Sequence, residues 1–246
     1  MLSRRRVGRS AFVMVVDHAS RRIPQRLGNL GLAQSDLDRH IAWDIGALAV
    51  AERVSEALDA PLVAQNYSRL VIDCNRRVGD PASIPTESES TRIPGNINLP
   101  DEEREARRRE IFDPYHDYLR ALLDERMRLG RRTMLILQHS MTDVFKGARR
   151  PMQAAVLHDE DNRFARGLLE ALRYEPGLIV GDNEPYSGKE RISFTSLHHG
   201  ESRGIPHVEV EIRQDLICSA SRQAEWSQRM ATALRTAERA FIKDQV

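Results

Sequence analysis

Short apolar runs punctuate the chain. AFVMVV (11–16), PLVA (61–64), LVIDC (70–74), TMLILQ (133–138), AAVL (154–157) and LIVG (178–181) are separated by turn signals or helix-like segments. Unbroken apolar runs of this length fit strands buried on both faces, the usual condition of a mostly parallel sheet. HVEVEIR (207–213) differs because it alternates. Val208, Val210 and Ile212 share one face, and His207, Glu209, Glu211 and Arg213 the other. A solvated edge strand and a strand presenting carboxylates to a reaction both satisfy that alternation.

Between these runs the period lengthens. Leu37, Ile41, Ile45, Leu48 and Leu58 trace one stripe, which predicts a helix over 35–58 with Ser35 as N-cap. Helical spacing also covers 101–129, interrupted or restarted at Pro114, and 161–172. Trp226, Met230, Leu234, Ala237 and Phe241 form a core-facing stripe near the C-terminus. Residues 79–100, rich in Pro, Ser, Thr and Gly, read as a long loop, and loops of that length in compact domains are often functional. The order of elements predicts one α/β domain over 1–246, with a mostly parallel mixed sheet flanked by helices.

Composition narrows the partners. The 37 basic and 36 acidic residues nearly cancel, which gives no reason to expect nucleic acid. The RRR triplets at 4–6 and 107–109 are local, and glutamates flank the second, so it reads as a solvated helix face. Cys74 and Cys218 show no metal-type spacing and read as reduced thiols of a cytoplasmic protein. The apolar run 11–16 is too short for a signal-peptide core, and no run approaches the roughly 20 residues of a membrane span. The expected partner is a small molecule; the oligomeric state stays open.

Chemistry gathers where apolar runs stop. AFVMVV ends at Asp17-His18, LVI at Asp73, Asn75 and Arg76, and MLILQ at His139-Ser140. Open parallel sheets bind ligands outside the carboxyl ends of their strands, so parallel strands would bring these groups to one edge. His40 and Asp44, four apart on the predicted helix, would share a face beside its stripe. Two histidines and a carboxylate are a usual first shell for catalytic zinc. A helix-surface ion pair accounts for His40 and Asp44 equally well. Asn96, Asn183 and Tyr186 lie in turn-rich loops and are candidates only for a pocket rim. His198, His199 and His207 read as satisfied surface or loop histidines, and His116, at a Pro-Tyr-His helix start, as packing or hydrogen bonding.

Taken together, 17-DHAS-20, 40-HIAWDIGA-47, 68-SRLVIDCNR-76, 94-PGN-96, 114-PYH-116, 139-HS-140, 182-DNEPYSG-188 and 207-HVEVEIRQDLI-217 resemble the N-formylglutamate amidohydrolases. The resemblance implies a fold like the zinc carboxypeptidases, aspartoacylases and phosphorylase/hydrolase-like proteins. It also implies zinc-dependent hydrolysis of an N-formyl or other small N-acyl acidic amino acid. In that frame His18 and His139 are metal ligands, Asn75 and Arg76 grip the substrate carboxylate, Arg69 polarises the scissile carbonyl, and Glu211 is the general base. Asp73 is expected to hold an arginine or the loop. Carboxypeptidases place a glutamate ligand where this chain has Arg21, which cannot bind a cation. The middle ligand then falls to Asp44, with His40 as rival. A related amidohydrolase with another N-acyl substrate, and a metal-free carboxylate-binding protein, are the alternatives.

Overall fold

The computed structural model describes residues 2–5, 8–186 and 193–244. Arg6 of the first basic triplet and Ser187-Gly188 of the 182–188 motif lie outside the described residues. The strands, in chain order, are β1 (Leu2–Arg5), β2 (Phe12–Val16), β3 (Leu62–Ala64), then the hairpin pair β4 (Glu87–Ser88) and β5 (Thr91–Arg92). β6 (Met134–Met141), the hairpin β7 (Val144–Phe145) and β8 (Ala148–Arg149), β9 (Ala154–Leu157), β10 (Val180–Asp182) and β11 (His207–Arg213) follow. Seven of them form one sheet in the order β1-β3-β2-β6-β11-β9-β10. β3, β2, β6 and β11 run parallel, whereas β9 meets β11 antiparallel and β1 meets β3 antiparallel. The mostly parallel mixed sheet is therefore as expected.

The sheet divides two cores, and residue parity decides which core each side chain joins. Phe12, Met14, Val16, Met134, Ile136, Val208, Val210 and Ile212 pack on one face against α2 (Ala47–Leu58), α5 (Arg163–Arg173) and α6 (Ala220–Lys243). On the other face Val13, Val15, Leu135 and Leu137 meet Leu70–Ile72, Ile93 and the helical run 101–128. That run is α3 (Asp101–Arg107) and α4 (Asp113–Arg128), joined by a π-helical turn at Arg108–Phe112. Pro114 has no N–H to give the ladder, and the wider turn lies just before it. No helix among the described residues is long and apolar enough to cross a membrane.

Three sequence expectations need correction, and one of two open readings falls away. Residues 70–74 are a buried run of turns, not a strand. Their backbone is held by side chains: Asn96 Nδ2 donates to the Leu70 carbonyl at 2.8 Å and Arg107 to that of Val71 at 3.0 Å. The predicted helix over 35–58 breaks into α1 (Gln34–Leu37) and α2, with turns between and Ala33 rather than Ser35 at the first N-cap. Arg107 is no solvated residue; only 1% of it is exposed. β11 is not an edge strand, and both of its faces are buried between β6 and β9.

Candidate active site

Three adjacent parallel strands deliver the central residues. In the β6–β11 register His139 lies opposite Glu211, and Leu137 opposite Glu209, so both carboxylates share the face of the His139 imidazole. β2 flanks β6 on its other side and ends at Val16, leaving Asp17 and His18 at the same edge. The loop carrying Asp44 is pinned there, because the Asp44 N–H donates to the His18 carbonyl at 2.9 Å. Gly46 turns that loop into α2 with φ +80°, and a Cβ on it would lie 2.3 Å from the Ile217 carbonyl oxygen. Only glycine meets both demands without strain.

The imidazoles of His18 and His139 lie 5.0 Å apart between centroids. Asp44 Oδ2 stands 2.7 Å from His139 Nδ1 and 3.4 Å from His18 Nδ1. Each ring is backed by a second carboxylate. His18 Nε2 bonds Asp73 Oδ1 at 2.8 Å, and His139 Nε2 lies 3.4 Å from Asp17 Oδ2. Ligating atoms of His18, Asp44 and His139 fall within 4.8 Å of one another, as do those of His139, Glu209 and Glu211. Carboxylates behind imidazoles fix ring orientation and leave the opposite nitrogen for a cation. His40 joins neither group; it pairs with Glu89 at 3.1 Å.

Electrostatics set the roles apart. Burial pushes Asp44 up, but His18 and His139 outweigh it and hold the carboxyl far below its usual range. Asp73 is likewise held well down, by His18 and Arg69 against burial. Glu211 goes the other way. Burial, aided by Asp44 and Glu209 against His139, raises it to about 8. A carboxyl raised that far is largely protonated at neutral pH, and a cation beside it would draw the proton off and leave a base. Glu211 Oε2, Asp17 Oδ2, His18 Nδ1 and His139 Nε2 are buried without a hydrogen-bond partner among the described residues. Buried polar atoms normally find one. Against burial, Asp17, Asp44 and Asp73 raise His18 and His139 in turn, so the set gathers positive charge, as protons on the imidazoles or as a cation in their place.

Arg69 reaches the same place from the turn segment. Its guanidinium bonds Asp73 Oδ2 at 2.9 Å, and its other terminal nitrogen lies 3.8 Å from Asp44 Oδ1. Asp73 thus holds an arginine, as expected, and a histidine besides. Asn75 and Arg76 line the cleft with them. Asn75 Oδ1 accepts from Ser193 Oγ at 2.9 Å and from the Thr195 N–H at 3.0 Å, so its amide is oriented. The cleft encloses about 560 Å³, and the 79–100 segment closes one wall through Glu87 and Glu89.

The family profile of the N-formylglutamate amidohydrolases matches residues 10–218. The chain belongs to the N-formylglutamate amidohydrolase family. It is therefore an enzyme of the amidohydrolase class. A gene product of Agrobacterium tumefaciens is 36% identical in a solved structure, with a TM-score of 0.92 over 97% of this chain and 93% of that one. The N-formylglutamate amidohydrolase of Ralstonia eutropha shares the fold at 19% identity, with a TM-score of 0.67 over 97% of this chain and 96% of its own. No curated protein matches in sequence.

Several family motifs turn out to serve one another. In 114-PYH-116, Tyr115 donates to Asp17 Oδ1 at 2.7 Å, and His116 Nε2 bonds the Cys74 carbonyl at 2.9 Å. Thr195 donates to Asp17 Oδ1 at 2.9 Å. Asp17, marked in the sequence only as a group at the end of an apolar run, proves to be the carboxylate beside His139. Asn96 is structural, bonded to Arg107 and two backbone carbonyls. Asn183 accepts the His158 N–H at 3.0 Å and is not among the cleft-lining residues. Tyr186 does line the cleft, its hydroxyl held by Arg150 at 2.6 Å.

Proposed function

We propose that this chain hydrolyses the amide of an N-formyl or small N-acyl acidic amino acid, with N-formyl-L-glutamate as the substrate, in a zinc-dependent reaction. The observation that carries this reading is the convergence of His18, Asp44 and His139 beside Glu211, which lies opposite His139 on the neighbouring strand. His18, Asp44 and His139 would hold the ion, which supplies Lewis acidity and a water made nucleophilic at neutral pH.

The remaining steps fall to the chain's own side chains. Arg76, with the oriented amide of Asn75, receives the substrate carboxylate; the planar guanidinium fork matches a carboxylate in two bonds. Arg69, fixed by Asp73, donates towards the carbonyl oxygen as negative charge develops on it. Losing one such donor typically costs about 10²–10³ in rate. Glu211 accepts the proton of the attacking water and passes it to the departing nitrogen, which then leaves as an amine.

Release of formate from N-formyl-L-glutamate, followed with and without chelator, tests the reading. Turnover that chelation removes and zinc restores is the expected result. Glu211→Gln should lower turnover by at least about 10³-fold while metal content stays at the wild-type level. Full activity in that variant refutes Glu211 as base, and chelator-resistant turnover refutes the zinc. Formate release absent with zinc bound points to a different acyl group, which a panel of N-acyl amino acids identifies.

A further inference from the structure

His207 opens the alternating strand but takes no part in the site above. It lies four residues before Glu211 along β11, roughly 13 Å away at the rise of a strand. Its side chain has no exposure. Its Nδ1 stands 2.9 Å from the Ile205 carbonyl, which can only accept, so Nδ1 carries a proton and Nε2 is the nitrogen left to bind either a second proton or a cation. That nitrogen faces two carboxylates, Asp159 Oδ2 at 3.3 Å and Glu201 Oε2 at 3.7 Å.

These three residues offer ligand atoms within 4.8 Å of one another. Asp159 is 4% exposed, and its Oδ1 is buried without a hydrogen-bond partner among the described residues. Its Oδ2 receives Ser196 Oγ at 2.8 Å. Glu201 is one-fifth exposed and opens the cluster to solvent. The backbone is shaped to admit the ring. A Cβ on Gly200 would lie 2.4 Å from the His207 ring, so residue 200 must be glycine for His207 to sit there.

We propose that Asp159, Glu201 and His207 form a second divalent cation site of the zinc class, separate from the catalytic cluster. One neutral imidazole and two carboxylates balance the charge of a divalent ion, and all three are ordinary zinc donors. The imidazole is already oriented from behind by the Ile205 carbonyl, as metal-binding histidines usually are. A single proton on Nε2 would serve one carboxylate, whereas an ion serves both.

The ion ties the segment after β9 to the turns at 196–203 and to the start of β11. Just ahead of the 196–203 turns, Ser193 and Thr195 orient Asn75. Its role is to brace the wall of the substrate cleft.

Equilibrium dialysis of the full chain against zinc, followed by metal analysis, tests this. Wild type should hold about two equivalents and His139→Ala about one, because the second site does not depend on the first. Glu201→Ala, which alters a partly exposed side chain, should also hold about one. Asp159→Asn keeps the shape and still accepts from Ser196, and should likewise lose one equivalent. In the His139→Ala background zinc should still raise the unfolding midpoint, and adding Glu201→Ala should abolish that rise. Zinc content at the wild-type level in both Glu201→Ala and Asp159→Asn overturns the proposal, as does His139→Ala that binds none. Failure of the catalytic assignment reads differently: wild type then holds one equivalent, which Glu201→Ala removes.

Discussion

At the residue scale, a carboxylate outside the proposed ligand set does much of the organising. Asp73 holds His18 on one oxygen and Arg69 on the other. Asp73→Asn keeps the size but loses the charge. Zinc affinity should fall about 10–100-fold, the usual cost of removing a ligand's supporting partner. Competition with a chelating dye measures it, and an unchanged affinity would show that Asp73 serves Arg69 alone. Arg76 makes a different claim. Lysine retains its charge but lacks the planar fork. Arg76→Lys should raise KM about tenfold with zinc content unaltered, which steady-state formate release at several substrate concentrations reads directly. An equal loss in kcat at constant KM would move Arg76 from ground-state binding to transition-state work.

At the scale of elements, the turns 68–76 stand where a strand was expected. Such a segment has no ladder, so its carbonyls need partners elsewhere. Arg107 supplies them from α3, donating to the Val71 carbonyl and to Asn96 Oδ1 at 3.0 and 2.7 Å and to the Gly95 carbonyl at 3.3 Å. Asn96 in turn holds Leu70 and Pro85. One buried guanidinium thus fastens the segment that carries Arg69, Asp73, Asn75 and Arg76. Arg107→Leu leaves these acceptors buried and unserved, and should cost about 3 kcal/mol or more. Urea unfolding decides it; a change within about 0.5 kcal/mol would mean that water replaces the guanidinium.

At the scale of the whole molecule, the sheet separates stability from chemistry. The face under α2, α5 and α6 is an apolar core. The opposite face admits buried polar groups, and these make stability depend on pH. His116 is lowered to about 4, chiefly by burial. Its ordinary value is 6.5. The unfolded chain therefore binds the proton that the folded chain refuses. The contribution is fully present above about pH 6.5 and is lost as pH falls towards 4, by about 3 kcal/mol in all. Unfolding free energy should fall by about 1.4 kcal/mol per pH unit through that window for this group alone. The slope should flatten in His116→Gln at matched zinc; an unchanged slope would assign the acid sensitivity to other groups.

What the sequence by itself determined is the set of local periods and the groups at their ends. The period of two put Glu209 and Glu211 on one side of a strand, and short apolar runs marked β2, β6 and β9. Both follow from local geometry, in which side chains alternate along a strand and apolar stretches seek burial. Only the tertiary structure decided that LVIDC is not a strand, that Arg107 is buried, and that Asp17 and Asp73 stand behind His139 and His18. A side chain's partner across tens of residues depends on how the chain is packed, and periodicity carries no record of that. The same holds for Asp44 against His40. The break in the predicted helix, where Gly46 turns at φ +80° under the Ile217 carbonyl, leaves Asp44 beside the histidines and His40 with Glu89.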